Sequence, residues 1–237
     1  AGARMQDKVF PIWLKGSRYP DRLPIGTPEV LKTFAPDRLK KFYTDWYRPD
    51  LMAVVAVGDF DKTATEGLIK THFSRLKSPA APRARTIYDI PDQPGTRFVL
   101  MSDKEMTTTS VQMSTLLPAR PQGTVGVYRQ EMVDRLFSAM LSARLSEISQ
   151  KADAPFIQAF AGRSIFLART KESTSLNALV KEDSTERGLD ALLAEVERAS
   201  RFGFTATELD RQKQTTLRNY ERIVADPDAI RWARIQT

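Results

Sequence analysis

The side chains that could support catalysis in this 237-residue chain are few, and histidine is the scarcest of them. His72 is the only histidine, and the chain has no cysteine. A catalytic zinc ion normally takes three protein ligands, of which two or more are usually histidines. The lack of cysteine also excludes disulfides, thiol nucleophiles and thiolate metal ligands. His72 lies on the apolar side of the segment GLIKTHFSRL, so we predict a half-buried packing role for it and expect no metal site.

The other candidates for chemistry are acids and serines, namely Asp59, Asp61, Glu182, Asp183, Glu186, Ser173 and Ser175. Asp59 and Asp61 could bind a metal, but a turn acid and a helix cap are the simpler roles. The acids from Glu182 onward lie near a predicted helix start, where they complement the helix dipole. The serines have no histidine to activate them, and GDFDKTATEG lacks the glycine-rich phosphate loop. We therefore assign no catalytic residue and no metal ligand, and the substrate-binding residues stay unassigned.

The amino-acid composition of the chain argues against some classes of binding partner. The net charge of +7 arises from 36 basic and 29 acidic side chains, with an isoelectric point near 9.7. The basic residues are interspersed with acids, so no nucleic-acid partner is expected. No apolar run approaches the roughly 20 residues that cross a bilayer, and the first ten residues, AGARMQDKVF, show no signal peptide. A chain without cysteine suits the cytoplasm and the periplasm equally, so the compartment stays open.

The sequence of the first eighty residues predicts two helices, one strand and a further helix, in that order. Turn formers in residues 1–26 predict irregular structure there, while Thr27 and Asp61 are predicted helix caps. The continuous apolar run Leu51 to Val57 predicts an inner strand of a sheet that is covered on both faces. Three of its side chains are predicted to be buried: Val54, Val55 and Val57. One strand cannot make a sheet, so this first unit is predicted to be incomplete.

A proline-rich and alanine-rich stretch, Ser78 to Arg85, predicts a boundary between two domains. We place a first domain at residues 1–80, a linker at 81–85 and a second domain at 86–237. The sequence of the second domain predicts strands at 96–106, 109–118, 155–170 and 174–183. It also predicts helices at 124–150, 185–202 and from 205 onward. This order indicates an α+β fold, an antiparallel sheet with helices packed on one face. Thr205 and Glu208 are predicted to form a capping box.

Several segments together resemble the insulinase/pitrilysin family of zinc metallopeptidases, in particular its bacterial multi-domain members. The matching segments are PIGT (24–27), FYTDWYRP (42–49), LMAVVAVGDFD (51–61), MLSARLSEI (140–148) and FGFTATELDRQK (202–213). The resemblance extends over residues 19–225 or so. It implies two related units of the insulinase-family domain type, the first of them incomplete.

The resemblance also implies where the chemistry would lie. Family peptidases bind zinc through an inverted His-x-x-Glu-His motif and a later glutamate, and that motif precedes the PIGT segment. This sequence has no such motif, so no zinc ligand or general base is carried over to any of its residues. The resemblance implies a fragment of a zinc endopeptidase that hydrolyses peptides in a closed chamber. In that case the parent binds zinc, and this chain is inactive alone and contributes scaffold and chamber wall.

Alternatives stay open at this point. The family also contains non-catalytic scaffold or partner homologues that have lost the metal motif, and this chain could belong to one of them. The implied partners are peptide substrates and either the missing remainder of the parent chain or a homologous subunit. A mildly basic surface could favour acidic peptides, but the even spread of the +7 charge argues against such a preference. The resemblance implies a bacterial protein of the periplasm or cytoplasm, and it leaves the natural substrate and the oligomeric state open.

Overall fold

The computed structural model describes residues 1–225, which form two compact units. The first, here called the helical unit, comprises residues 18–88. The second, here called the sheet unit, comprises residues 1–17 together with residues from 89 onward. The helices in chain order are α1 (Gly2–Trp13), α2 (Pro28–Thr33), α3 (Pro36–Trp46), α4 (Lys62–Phe73), α5 (Val125–Ser149), α6 (Thr185–Phe202) and α7 (Ala206–Ala225). The strands are β1 (Thr109–Pro118), β2 (Gln158–Ile165) and β3 (Lys171–Val180).

Helix caps were predicted correctly because they depend on residues three apart in the chain. The Thr27 hydroxyl accepts a hydrogen bond from the Val30 amide at 3.3 Å, and Asp61 accepts one from the Ala64 amide at 2.7 Å. The predicted capping box is also present: the Thr205 amide donates to Glu208 at 2.7 Å, and the Glu208 amide donates to the Thr205 hydroxyl at 3.3 Å. Each cap satisfies amides that a helix start would otherwise leave unpaired.

The sheet unit has the predicted α+β architecture. Its three antiparallel strands lie in the order β1-β3-β2, so β3 pairs with both neighbours. Helices α5 and α6 contribute to one hydrophobic core with one face of the sheet. The buried members of that core are Leu141, Leu145, Phe156, Ala159, Ala178, Val180, Leu192 and Ala199. The glycine at position 188 lets α6 approach β3 closely, since a Cβ there would lie 2.5 Å from a Val180 methyl carbon.

The irregular structure predicted for residues 1–26 is wrong for its first half, which forms helix α1. Pro11 lies inside this helix, where it removes one backbone hydrogen bond. Tertiary contacts outweigh that loss. The Trp13 ring lies 6.2 Å from the Phe166 ring, Leu14 is fully buried, and Arg4 pairs with Asp103 at 2.8 Å. These contacts are with residues far along the chain, so local turn preferences did not reveal them.

The buried strand predicted at Leu51 to Val57 is not formed, and its valines are exposed. Val55 retains 79% and Val57 65% of their accessible surface, and Val54 is exposed as well. The segment beyond Leu51 starts in extended conformation, at Met52, but the described helical unit contains no strand for it to pair with. A strand needs neighbours to form its ladder and to cover its faces, and none is present within residues 18–88.

The strand predicted at 96–106 is also absent, although the polar turn at its end forms. Phe98 and Leu100 are 87% and 95% exposed. The segment is tied to α1 instead of to the edge of β1, because Arg97 donates a 2.6 Å hydrogen bond to the Ile12 carbonyl. The pairing of Arg4 with Asp103 adds a second tie. The predicted helices from 124 and 185 and the three remaining strands are present with small shifts of their ends.

No helix within residues 1–225 combines the length and apolar character that a membrane span requires.

Candidate functional site

The structure does not bring the predicted candidates for chemistry together. His72 is exposed on α4, so its predicted half-buried position is wrong. The helical unit has no sheet on which α4 could bury its apolar side, and none of the residues of α4 is buried. Asp61 acts as a cap, whereas Asp59 is exposed in the preceding turn.

The other acids are equally dispersed. Glu182, Asp183 and Glu186 are exposed around the start of α6. Within residues 1–225, no group of three or more histidines, cysteines, aspartates or glutamates is arranged to hold a metal ion. The described residues therefore do not fit the zinc ion that the family resemblance implies, and no hydrolytic step is assigned to them.

A cluster of charges that sequence patterns did not identify lies between α5 and the ends of β2 and β3. It lines a cavity of about 460 Å³ that includes Arg120, Asp134, Arg163 and Glu172. Glu172 is only 4% exposed and accepts hydrogen bonds from the Arg120 amide at 2.9 Å and from Arg163 Nε at 2.7 Å. Asp134 lies 2.8 Å from Arg120 Nη2, close enough for an ion pair although not aligned for a hydrogen bond.

The low pKa of Glu172 makes this side chain a poor general acid or base. Burial opposes the charge on Glu172, but the hydrogen bonds from Arg120 and Arg163 outweigh it and lower its pKa to about 2. A general base or acid works best with a pKa near the working pH. Glu172 is instead a permanent anion that ties β3 to β2 and to the segment after β1. A sequence clue existed: Glu172 has the same strand parity as the core residues Leu176 and Ala178.

A second buried charge joins three helices of the sheet unit, α5, α6 and α7. Arg144 of α5 donates to Glu208 of α7 through Nη2 at 2.9 Å and to Glu195 of α6 through Nη1 at 3.2 Å. The same guanidinium donates to the Gly203 carbonyl at 2.9 Å and lies 4.4 Å from the centre of the Phe204 ring. Hydrogen bonding by Arg144 lowers the pKa of Glu208 to about 2 against the opposing effect of burial. With its donors paired in this way, Arg144 serves to hold the helices together.

The face of the sheet opposite α5 and α6, here called the open face, differs in amino-acid composition from the rest of the chain. Alternation along each strand assigns side chains to it once the core-facing residues are known. Its members are Ser110, Gln112, Ser114 and Leu116 of β1, Ser173, Ser175, Asn177 and Leu179 of β3, and Gln158, Phe160, Gly162 and Ser164 of β2. None of these twelve residues is charged. The residues on both outer strands are largely exposed, and those of the central β3 are partly exposed.

Two of the serines that lacked a catalytic partner in the sequence belong to this face. Ser175 accepts a hydrogen bond from the Asn177 amide at 3.3 Å, and on β1 the Gln112 amide donates to Ser114 at 3.0 Å. Neutral hydroxyls and amides of this kind can contact a polypeptide through hydrogen bonds. They cannot activate a nucleophile.

Comparison with known proteins gives consistent results along most of the chain. Residues 33–216 match the family model described as the peptidase M16 inactive domain. The zinc protease PQQL-like protein of Arabidopsis thaliana is 36% identical over 172 residues, covering 72% of this chain and 18% of that protein. The probable zinc protease PqqL of Escherichia coli is 28% identical over 227 residues, covering 96% of this chain and 24% of that protein. The chain thus spans about a quarter or less of the length of either relative.

A solved structure supports the same assignment. The crystal structure of the first half of the periplasmic protease PqqL from Escherichia coli matches with a TM-score of 0.85 and 26% identity, over 95% of this chain and 48% of that one. Because the family model covers most of the sequence, the chain belongs to the insulinase/pitrilysin family of zinc metallopeptidases, the peptidase M16 family, and matches its inactive domain.

Proposed function

We propose that this chain is part of a zinc-dependent endopeptidase, in which it supplies scaffold and a wall of the chamber that encloses the peptide. The observation that carries the proposal is the match of residues 33–216 to the inactive domain of a peptidase family. It agrees with the dispersed acids and the exposed His72 of the described residues. The zinc ligands and the general base then belong to the remainder of the parent protein.

In this proposal, residues 1–80 are the C-terminal part of the catalytic-type domain, residues 81–85 are a linker, and residues 86–237 are the second, non-catalytic domain. The proline-rich composition of the linker supports the division. So does the separation of the chain into compact units near residue 88. Helix α1 packs with the sheet unit, so it would be a piece of the first domain's sequence that contacts the second.

Two features of the helical unit support a partner that covers it: a buried donor without an acceptor and exposed valines. Arg48 is buried; its Nη2 donates to the Arg83 carbonyl and its Nε lies 3.4 Å from the Asp50 carboxylate, but its Nη1 finds no hydrogen-bond acceptor within residues 1–225. A buried donor without an acceptor costs about 1–3 kcal/mol. Val55 and Val57 are exposed, as the side chains of an unpaired inner strand would be. We propose that the remainder of the parent chain, or a homologous subunit, supplies strands beside the valines and an acceptor for Arg48.

The place of action in this proposal is the bacterial periplasm, since the matched Escherichia coli protein is described as a periplasmic protease. The lack of cysteine is compatible with an oxidising compartment. Peptides are the proposed substrates, by analogy with the zinc proteases to which the chain is similar.

Metal analysis and a peptidase assay test the proposal together. The full-length parent should retain one zinc per chain after dialysis and cleave a fluorogenic peptide, and a chelator should abolish the cleavage until zinc is returned. The isolated 237-residue chain should retain no stoichiometric zinc and cleave nothing. One zinc per isolated chain, or chelator-sensitive cleavage by it, would overturn the assignment of this chain as scaffold.

The same experiment separates the non-catalytic alternative from the peptidase. A parent that folds but neither binds zinc nor cleaves peptides would be a scaffold homologue of the family. His72→Ala in the parent is the matched control, because His72 is exposed and outside any group of metal ligands in the described residues. This variant should keep its zinc content and its kcat/KM within about twofold of the parent values.

A further inference from the structure

The absence of charge on the open face is unusual for this protein. Charged residues make up 27% of the chain, so about three would be expected among twelve exposed or partly exposed positions. None is present. The one charged residue of the same parity in the three strands is Lys171, at the start of β3, and its ammonium is buried 2.7 Å from Asp92. Charged residues are depleted in the core of protein–protein contact surfaces, but so is serine, so the serine-rich open face shares only the lack of charge with them.

The composition of the open face also indicates which kind of partner it contacts. Nucleic acid would require lysines and arginines on the face, and it has none. A permanent subunit interface is more apolar than the remaining surface, whereas only Leu116, Leu179 and Phe160 are large apolar residues here. Most of the other members are serine, glutamine and asparagine, whose side chains can donate and accept hydrogen bonds. Those are the groups that match the amides and carbonyls of a peptide backbone.

The dimensions of the face suit an extended peptide. From Ser110 to Leu116 the face spans seven residues, so the six steps of roughly 3.3 Å between them give a length of about 20 Å. Three strands at a spacing of about 4.8 Å add a width of roughly 10 Å. An extended segment of about six residues therefore fits along the strands. Phe160, which is 51% exposed on the outer strand β2, offers one apolar contact beside the polar groups.

We propose that the open face is the part of this chain that contacts the polypeptide substrate, and that its neutrality lets it accept acidic and basic segments alike. This inference rests on the proposed function of the chain as a wall of the chamber. Because no charge on the face attracts or repels a substrate, contact would depend on hydrogen bonds to the peptide backbone. The overall excess of basic residues would then not translate into a preference for acidic peptides, since that excess lies elsewhere on the chain.

The test places a charge on the face of the full-length parent. Gln112 is the best site, because it is exposed on the edge strand β1 and tolerates substitution more easily than the partly buried Asn177. Two fluorogenic peptides share one cleavage sequence and differ only in acidic or basic flanking residues. The unaltered parent should cleave both with kcat/KM within about threefold, because neither flank meets a fixed charge on the face.

Charge substitutions should then create a preference of predictable sign. Gln112→Lys should shift the acidic-to-basic ratio of kcat/KM upward by about five- to tenfold, and Gln112→Glu should shift it downward by a similar factor. The shift should diminish in high salt. The matched controls Gln214→Lys and Gln214→Glu, at an exposed position of α7, should leave the ratio unchanged. The inference would be overturned if the substitutions at Gln112 left the acidic-to-basic ratio of kcat/KM unchanged, or if the substitutions at Gln214 changed it by the same factor.

A binding measurement separates this inference from the proposed function. Fluorescence anisotropy of the same labelled peptides, with zinc removed by a chelator, reads peptide contact without hydrolysis. If the zinc-loaded parent cleaves nothing, the proposed function fails, while the charge dependence of binding still decides the role of the face. Melting curves of each variant establish that it is folded. Binding that is strongly charge-selective in the unaltered parent, or unaffected by Gln112→Lys and Gln112→Glu alike, counts against the open face as the contact surface.

Discussion

The substitution Gly188→Ala should destabilise the sheet unit, against the usual effect of this change in a helix. Alanine is favoured over glycine inside a helix by about 1 kcal/mol. At position 188, however, the added Cβ would lie 2.5 Å from Val180 Cγ1, roughly 1 Å closer than two carbon atoms normally approach. Val180 is buried in the core beneath α6, so either the helix or the valine must move. Overpacking of this kind costs about 1–3 kcal/mol, so the net loss should be about 0–2 kcal/mol.

Urea unfolding followed by circular dichroism would measure the loss, with a fall of melting temperature of a few degrees expected for a unit of this size. The double variant with Val180→Ala isolates the cause. Once Cγ1 is gone, Gly188→Ala should become neutral or stabilising by up to about 1 kcal/mol. Gly126→Ala serves as the control on α5, because no atom lies within 4 Å of the Cβ it would add. A Gly188→Ala protein more stable than the unaltered chain, or a loss that persists at full size in the Val180→Ala background, would refute the reasoning.

Three further outcomes follow from the buried charges and from the exposed valines. Arg144→Met should cost about 3–5 kcal/mol in the free energy of unfolding, because it leaves the buried Glu195 with only the exposed Arg198 at 3.6 Å and also removes the ion pair to Glu208, and chemical denaturation would measure it. Since the pKa of Glu172 is lowered to about 2, its contribution is present above its unfolded pKa of 4.5 and disappears as the pH falls towards 2. The acid-induced fall in stability should therefore be shallower in Glu172→Gln by about 1–3 kcal/mol, as melting curves between pH 7 and pH 2 would reveal. Val55→Asp should change the stability of the isolated chain by less than about 0.5 kcal/mol, because that side chain is exposed. In the full-length parent, where Val55 is proposed to be covered, the same substitution should destabilise the protein by several kcal/mol. Equal effects in both proteins would contradict the proposed covering.

Features that depend on neighbours along the chain were predictable from the sequence. The caps at Thr27 and Asp61 depend on residues three positions away, and both are present. Helix α5 was predicted from Thr124 to Gln150, and these two residues flank it in the structure. In each case the relevant contacts lie within one or two helical turns, so composition and periodicity contain the necessary information.

Features that depend on distant partners were missed. The run Leu51 to Val57 has the composition of an inner strand, but composition cannot say whether a neighbouring strand is present. Helix α1 was hidden by its turn formers, because its stability comes from contacts with residues such as Phe166. The open face becomes visible only through the register of three strands. Alternating serines at 173 and 175 were the one local clue to it.

The sheet unit is built from two separate stretches of the sequence, residues 1–17 and the residues from 89 onward. Residues 18–88 are therefore an insertion within it. Near the insertion points the two pieces lie side by side, since a Cβ at Gly16 would be 3.4 Å from Pro91 Cγ. During synthesis, more than seventy residues must follow α1 out of the ribosome before the surface on which it packs is made. Conversely, a short glycine-containing joint could replace the whole insertion. A protein engineer could remove the helical unit in this way and retain the sheet unit, whereas trimming the first seventeen residues would expose the pocket that Leu14 fills.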